Sequence, residues 1–279
     1  MRLGEVPEHV RSRGREALDP LVRLWFKLFP VRTLYPTDFT PEEVALCAAV
    51  APFTMTGAER IIALANATRY VVENQVPGAI VECGVWRGGS MMAVAKTLLS
   101  VGAPPRELVL FDTFEGMTRP GAADRDVHGK QALDILAATP RRPDFAPRVA
   151  DPSRYSLAPA NATFNMWCIA SEAEVAANLK GTGYPMEHVQ LVRGKVEDTI
   201  PNHAPDVISI LRLDTDWYES TRHELEHLYE RIAHSGVLII DDYGHWEGAR
   251  RAVDEFFERL SPRPLLHRID FTGRCCIKP

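Results

Sequence analysis

Lysine, cysteine and long apolar runs are all scarce in this chain. The basic residues are 26 Arg and only 6 Lys, against 37 acids, for a net charge of −5. A nucleic-acid groove would show as a basic stripe, and this balance argues against one. The most apolar early stretch, residues 21–29, is broken by Arg23 and Lys27. It falls far short of the roughly 20 residues a bilayer span needs. Mixed charged residues precede it and no small-residue cleavage site follows, so it is not read as a signal peptide but as an amphipathic helix. The 5 cysteines contain no CxxC pair, and Cys275 and Cys276 are adjacent. Reduced, packed thiols in a cytoplasmic protein are expected.

What is present is ordinary for a globular domain: 279 residues, 46% hydrophobic and 25% charged. Residues 1–50 read as an N-terminal arm, its first forty basic and punctuated by proline, and a single domain follows over 51–279. A helix is expected over 56–75. Short apolar runs at 79–83, 107–111, 188–192, 207–213 and 237–240 then alternate with helical stretches at 90–99, 220–233 and 247–260. Thr221, Leu225, Leu228 and Ile232 mark one face of the second of these. A closing pair of strands, 265–271 and 274–277, turns around Thr272-Gly273. Continuous apolar strands alternating with helices predict an α/β, doubly wound, mostly parallel sheet with an antiparallel edge hairpin. Residues 117–186 break the rhythm and read as a lid insertion with helical pieces at 134–138 and 171–179.

Several constellations carry chemistry. Val81-Glu82-Cys83-Gly84-Val85-Trp86-Arg87-Gly88-Gly89-Ser90 runs from a strand through a Gly-rich turn into a helix N-terminus, where free N–H groups and the helix dipole meet a ligand. It is not GxGxxG, and an acid two residues before the first glycine suits a ligand with a cationic amine. Asp112 ends the next strand, where an acid can take both hydroxyls of a ribose. Leu213-Asp214-Thr215-Asp216 and Asp241-Asp242 both follow apolar strands. Carboxylates converging there need a cation or a proton between them, and all-oxygen ligation points to a hard divalent ion, Mg²⁺ by default. His223-Glu224-Leu225-Glu226-His227 matches the HExxH zinc pattern. At 100° per residue both histidines lie about 200° from Leu225, away from the core face, which argues against zinc catalysis.

Together these segments resemble the macrocin O-methyltransferase, or TylF-like, family. The matching stretches are Thr54-Met55-Thr56, VECGVWRGGS at 81–90, FDTFEGM at 111–117, GKVEDTIP at 194–201, LRLDTDWYEST at 211–221, IIDDYGHWEGARRAVDE at 239–255 and HRIDFTGR at 267–274. The resemblance implies a class I, Rossmann-like methyltransferase fold with a helical lid, using S-adenosylmethionine to methylate a hydroxyl on a deoxysugar of a glycosylated natural product. By that match Glu82, Gly84, Val85, Trp86 and Ser90 would hold the methionine part, and Asp112 the ribose. Thr113 and Phe114 would flank the adenosine, Thr54, Met55 and Arg60 would close over it, and Gly194, Lys195 and Val196 would border the adenine. The metal would fall on Asp214, Asp241 and Asp242. Asp216 is the first choice of general base, with Asp214 as the alternative. Tyr155, Phe164, Trp167 and His245 are candidate acceptor contacts, and a homo-oligomer joined through the N-terminal arm is expected.

Two rivals share part of this pattern. A catechol or caffeoyl-type phenol methyltransferase has the same fold and metal logic, but catechol-type enzymes carry a Lys three residues after the first metal Asp, where this chain has Trp217. A nucleotide-sugar oxidoreductase would require NAD and a Tyr-x-x-x-Lys pair. No Tyr stands four residues before any lysine here.

Overall fold

The structure, a computed structural model, describes residues 35–139, 141 and 167–279. The described residues between Phe39 and Pro279 form one compact body. Helix α1, Pro41–Val50, opens it with a capping box: the Thr40 hydroxyl accepts from the Glu43 amide and the Glu43 carboxylate accepts from the Thr40 amide. Cys47 and Val50 of α1 are fully buried. The body therefore begins ahead of the expected boundary at 51, and the Thr-Pro-Glu-Glu sequence is the signal for it.

Helix α2, Ala58–Glu73, leads into strand β1, Ala79–Cys83, then α3, Gly89–Ser100, and β2, Leu108–Asp112. A short helix α4, Ala132–Ala138, lies in the insertion. Helix α5, Glu172–Lys180, starts at the Ser171 cap and buries Val175 and Leu179. It packs beside α3 and β3, so the stretch around it belongs to the body and not to a lid reaching 186. Strand β3, Val189–Arg193, a four-residue helix α6, Val196–Thr199, and β4, Ile208–Leu213, follow. After α7, Tyr218–Leu228, come β5, Ile232–Ile240, α8, Glu247–Phe257, and the strands β6, His267–Arg268, and β7, Arg274–Ile277.

The seven strands pair in the order β3-β2-β1-β4-β5-β7-β6. The first five are parallel, and β7 runs antiparallel to β5 and β6. That is the expected sheet with its antiparallel edge. One helix is shorter than expected: α7 stops at Leu228, and Ile232 is the first residue of β5 rather than the last of the helical stripe.

Alternation along the strands sorts the core into two faces. Val81, Cys83, Leu211, Leu213, Leu238 and Ile240 pack with Leu225 and Leu228 of α7 and Val253 and Phe257 of α8. Each such fully buried side chain contributes about 1.5–3 kcal/mol. The intervening residues, including Glu82, Arg212 and Asp241, point to the opposite face, which α2 covers. The order reverses at β1, whose neighbours β2 and β4 lie on either side, and ligands of such sheets bind at the carboxyl ends beside that switch. Among the described residues no single helix is long and apolar enough to cross a membrane.

Candidate functional site

A cavity of about 270 Å³ lies at the carboxyl ends of β1, β2, β3, β4 and β5. The turn after β1 forms one wall. Gly84 has φ +82°, and a Cβ there would stand 2.0 Å from the Asp214 carbonyl oxygen, so only glycine lets the turns after β1 and β4 touch. Gly84, Val85, Trp86 and Ser90 line the cavity, as do Thr54, Met55 and Arg60 from the segment before and within α2. Thr113 stands after β2, and Gly194, Lys195 and Val196 follow β3 on the same cavity. Trp86 at φ +46° and Asp216 at φ +68° sit in a region that non-glycine residues seldom occupy. Such strain persists where surroundings over-determine it, and it clusters at functional sites.

Two expected cofactor residues lie off the cavity wall. Glu82 is 1% exposed and faces Arg212, with its Oε1 2.7 Å from a guanidinium nitrogen. Burial, opposed by Arg212, pushes its carboxyl up to about 7. Phe114 is buried with φ +52° and its amide donates to Asp112 at 2.7 Å. Asp112 does line the cavity, but its carboxylate is engaged by the protein. It accepts from the amides of Val85 at 2.7 Å and Trp86 at 3.0 Å as well as Phe114, which ties the turns after β1 and β2 together. It would meet ribose hydroxyls only by sharing or giving up those bonds.

The acidic cluster is built around a cation that the sequence reading missed. Arg212, 2% exposed, reaches Glu82 at 2.7 Å, Asp214 at 2.6 Å and Asp241 at 2.5 Å, and donates to the Thr56 hydroxyl at 3.0 Å. Arg60 pairs with Asp241 as well, and with Asp270 at 2.9 Å. Against burial, these two guanidinia hold Asp241 below its usual carboxylate range. Both oxygens of Asp241 are thus committed to arginine, and the carboxylates whose ligand atoms lie within 4.8 Å of one another are Asp214, Asp216 and Asp242. The expected set was Asp214, Asp241 and Asp242; in this arrangement Asp241 would reach an ion only by releasing an arginine. Arg212 had a readable signal, since it stands in register beside Glu82 on the neighbouring strand, each one residue before its strand's end.

A divalent ion fits this cluster. Asp242 Oδ2 is buried without a hydrogen-bond partner, a state costing about 1–3 kcal/mol or more for a polar atom. Burial, with Asp216 and Asp241 nearby, pushes the Asp242 carboxyl well above its ordinary range, and burial pushes Asp216 to about 7. Three oxygen donors of this kind are the chemistry of Mg²⁺ or a similar hard ion.

The acceptor side is partly resolved. His245 lines the cavity and meets Trp246 edge-on at 4.7 Å, and burial lowers its pKa. Trp167 is absent from the cavity wall. Its indole donates to the Thr139 carbonyl at 2.8 Å and its ring packs against the Trp217–Trp246 cluster. Tyr155 and Phe164 lie outside the described residues. Cys168, Trp246 and Thr272 line the cavity without having been singled out in the sequence. In the HExxH-like stretch, His223 and His227 stack at 4.1 Å and engage the carbonyls of Ile200 and His223. Glu224 points the other way, fully buried, so the three do not converge on one ion.

Comparison with known proteins places this geometry. The family model described as Macrocin-O-methyltransferase (TylF) matches residues 40–142 and 143–276. A tetracenomycin-C 4'-O-methyltransferase of Streptomyces olivaceus, named for an 8-demethyl-8-(2,3-dimethoxy-alpha-L-rhamnosyl) substrate, is 30% identical over 224 residues, covering 79% of this chain and 73% of that protein. Demethyldecarbamoylnovobiocin O-methyltransferase of Streptomyces niveus is 29% identical over 224 residues, with the same coverage. Among solved structures, the O-methyltransferase NovP aligns with a TM-score of 0.65 at 29% identity, covering 81% of this chain and 82% of its own.

Proposed function

Because the chain belongs to the macrocin O-methyltransferase family, we propose that it transfers a methyl group from S-adenosylmethionine to a hydroxyl on a deoxysugar of a glycosylated natural product, assisted by Mg²⁺. One observation carries the reading. The glycine turn after β1 and the carboxylates Asp214, Asp216 and Asp242 face a single cavity, with an unpartnered buried oxygen on Asp242. The similarity to enzymes named for rhamnosyl-tetracenomycin and novobiocin substrates supports a sugar acceptor.

The chain's own residues then divide the work. Gly84, Val85, Trp86 and Ser90, with the N-terminus of α3, hold the methionine end of the donor, while Thr113 and Val196 flank its nucleoside. Asp214, Asp216 and Asp242 hold the ion, which when bound lowers the cost of negative charge on the acceptor oxygen. Asp214 is tied to Arg212 at 2.6 Å, whereas no guanidinium pairs with Asp216 among the described residues. Asp216 is therefore the better placed carboxylate to take the hydroxyl proton as the new C–O bond forms and the C–S bond breaks. The phenolic reading finds no support at Trp217, which is buried, packs on Trp246 at 5.0 Å and donates to the Thr118 carbonyl at 3.2 Å.

Calorimetric titration with S-adenosylhomocysteine, with NAD as the control, tests the donor. Turnover of a panel of glycosylated acceptors with Mg²⁺ or with EDTA tests the rest. Binding of the homocysteine alone, and turnover that EDTA abolishes, is the expected result. Binding of NAD alone would overturn the reading, and undiminished turnover in EDTA would remove the metal from it.

A further inference from the structure

Glu224 stands unexplained by the reaction: it is 0% exposed, in the middle of α7, and lies off the cavity wall. Its Oε1 accepts from the Thr215 hydroxyl at 2.9 Å. Thr215 is the residue between Asp214 and Asp216, and the chain bends sharply there. The Trp217 amide donates to the Thr215 carbonyl at 2.8 Å across Asp216, whose φ is +68°. That is a γ-turn with a positive central φ, a rare and strained form. The Ser220 hydroxyl also approaches the Thr215 carbonyl, at 3.4 Å, and the Asp214 amide is fixed to the Cys83 carbonyl at 2.8 Å.

A bend of that kind is strained and stays formed only where its surroundings hold it. The backbone on either side of Thr215 is pinned by main-chain bonds, but its side chain is held by Glu224. Releasing it frees the bend to relax toward ordinary φ, which would turn the Asp216 carboxylate away from Asp214 and Asp242.

We infer that Glu224 is a positioning residue for the carboxylate cluster: through Thr215 it holds the strained turn that keeps Asp216 within reach of Asp214 and Asp242. This rests on the metal reading proposed above. Glu224 touches neither ion nor substrate; it acts on the turn alone. Residues that orient ligands from behind in this way change metal affinity by about 10–100-fold when lost.

The test is a Mn²⁺ titration of the full chain followed by electron paramagnetic resonance, with urea unfolding alongside. Glu224→Gln keeps a carbonyl acceptor for Thr215 and should bind Mn²⁺ as the wild type does. The double variant Thr215→Val/Glu224→Leu replaces both partners by apolar groups, which leaves neither unsatisfied and costs little stability. It should unfold near the wild-type midpoint, bind Mn²⁺ about tenfold more weakly or worse, and lose kcat while KM for S-adenosylmethionine holds. A folded double variant with wild-type Mn²⁺ affinity overturns the inference, as does a Glu224→Gln protein as weak as the double variant. Should the double variant not fold, Thr215→Val alone is judged by the same two outcomes. A wild-type chain that binds no Mn²⁺ overturns the metal reading itself and this inference with it.

Discussion

Arg212→Met is the most informative single substitution for the architecture of the site. It removes the guanidinium that joins Glu82, Asp214 and Asp241, and it keeps a flexible apolar stem of similar length in a position 2% exposed. Breaking a buried ion pair by deleting one partner costs about 3–5 kcal/mol, because the remaining charge is left uncompensated. The urea dependence of a chain this size is about 3 kcal/mol per molar, so the unfolding midpoint should fall by roughly 1–1.7 M at pH 8. The loss should shrink at pH 5. Without Arg212 the folded-state pKa of Glu82, already about 7 through burial, rises further above its ordinary value. A raised carboxyl contributes its stability below the ordinary pKa and loses it as pH climbs through the folded value, so the gap between variant and wild type widens from pH 5 to pH 8. Arg212→Lys should recover only part of the loss, since one ammonium cannot reproduce the fork that meets three carboxylates. A midpoint within experimental scatter of wild type at pH 8, or a deficit that does not change with pH, would refute the reasoning.

Three other substitutions follow from the geometry. Gly84→Ala puts a Cβ 2.0 Å from the Asp214 carbonyl oxygen at φ +82°, and should cost at least about 2–3 kcal/mol and abolish S-adenosylhomocysteine binding by calorimetry; a stable variant with wild-type affinity would show that the two turns can separate. Glu82→Gln keeps an acceptor for Arg212 but removes a carboxyl raised to about 7, so the decline in stability between pH 4.5 and 7 should flatten by up to about 3 kcal/mol in a urea series at several pH values. An unchanged slope would place the titration elsewhere. Asp124→Ala removes the buried acceptor of the Tyr218 and Gly121 amides, at 2.8 and 2.6 Å, and should lower stability by about 1–3 kcal/mol in thermal unfolding; no change would mean that water replaces the bond.

Much of the fold was legible because the parallel strands are buried on both faces and therefore read as near-continuous apolar runs. Leu108–Asp112 is apolar up to its last residue, and Ala79–Cys83 is broken only by Glu82. Strand β5 was read short because His234-Ser235-Gly236 interrupts its run, and Ser235 has φ +65°, so the helical stripe seemed to continue to Ile232. The cavity lining was legible at strand ends, where Asp112, Asp214 and Asp242 stand. The site was not legible where one side chain answers another across strands. Arg212 is a lone charge in an apolar strand, and its meaning appears only when β1 and β4 pair. Asp241 looked like a ligand because it adjoins Asp242, but alternation sends it to the arginine face.

The near-contact of Gly84 with the Asp214 carbonyl also bears on how such enzymes diversify. The turns that would hold donor and ion are fused at the main chain, while the insertion between β2 and β3 departs from the opposite side of β1 and is moored at Asp124. Of the described residues beyond that mooring only a few, Ala132, Leu136 and Trp167 among them, pack back onto Trp217 and Trp246, and drift that spares those contacts leaves the fused turns joined. A duplicated copy of such a chain can explore new acceptors one insertion at a time, without first surviving a loss of its chemistry.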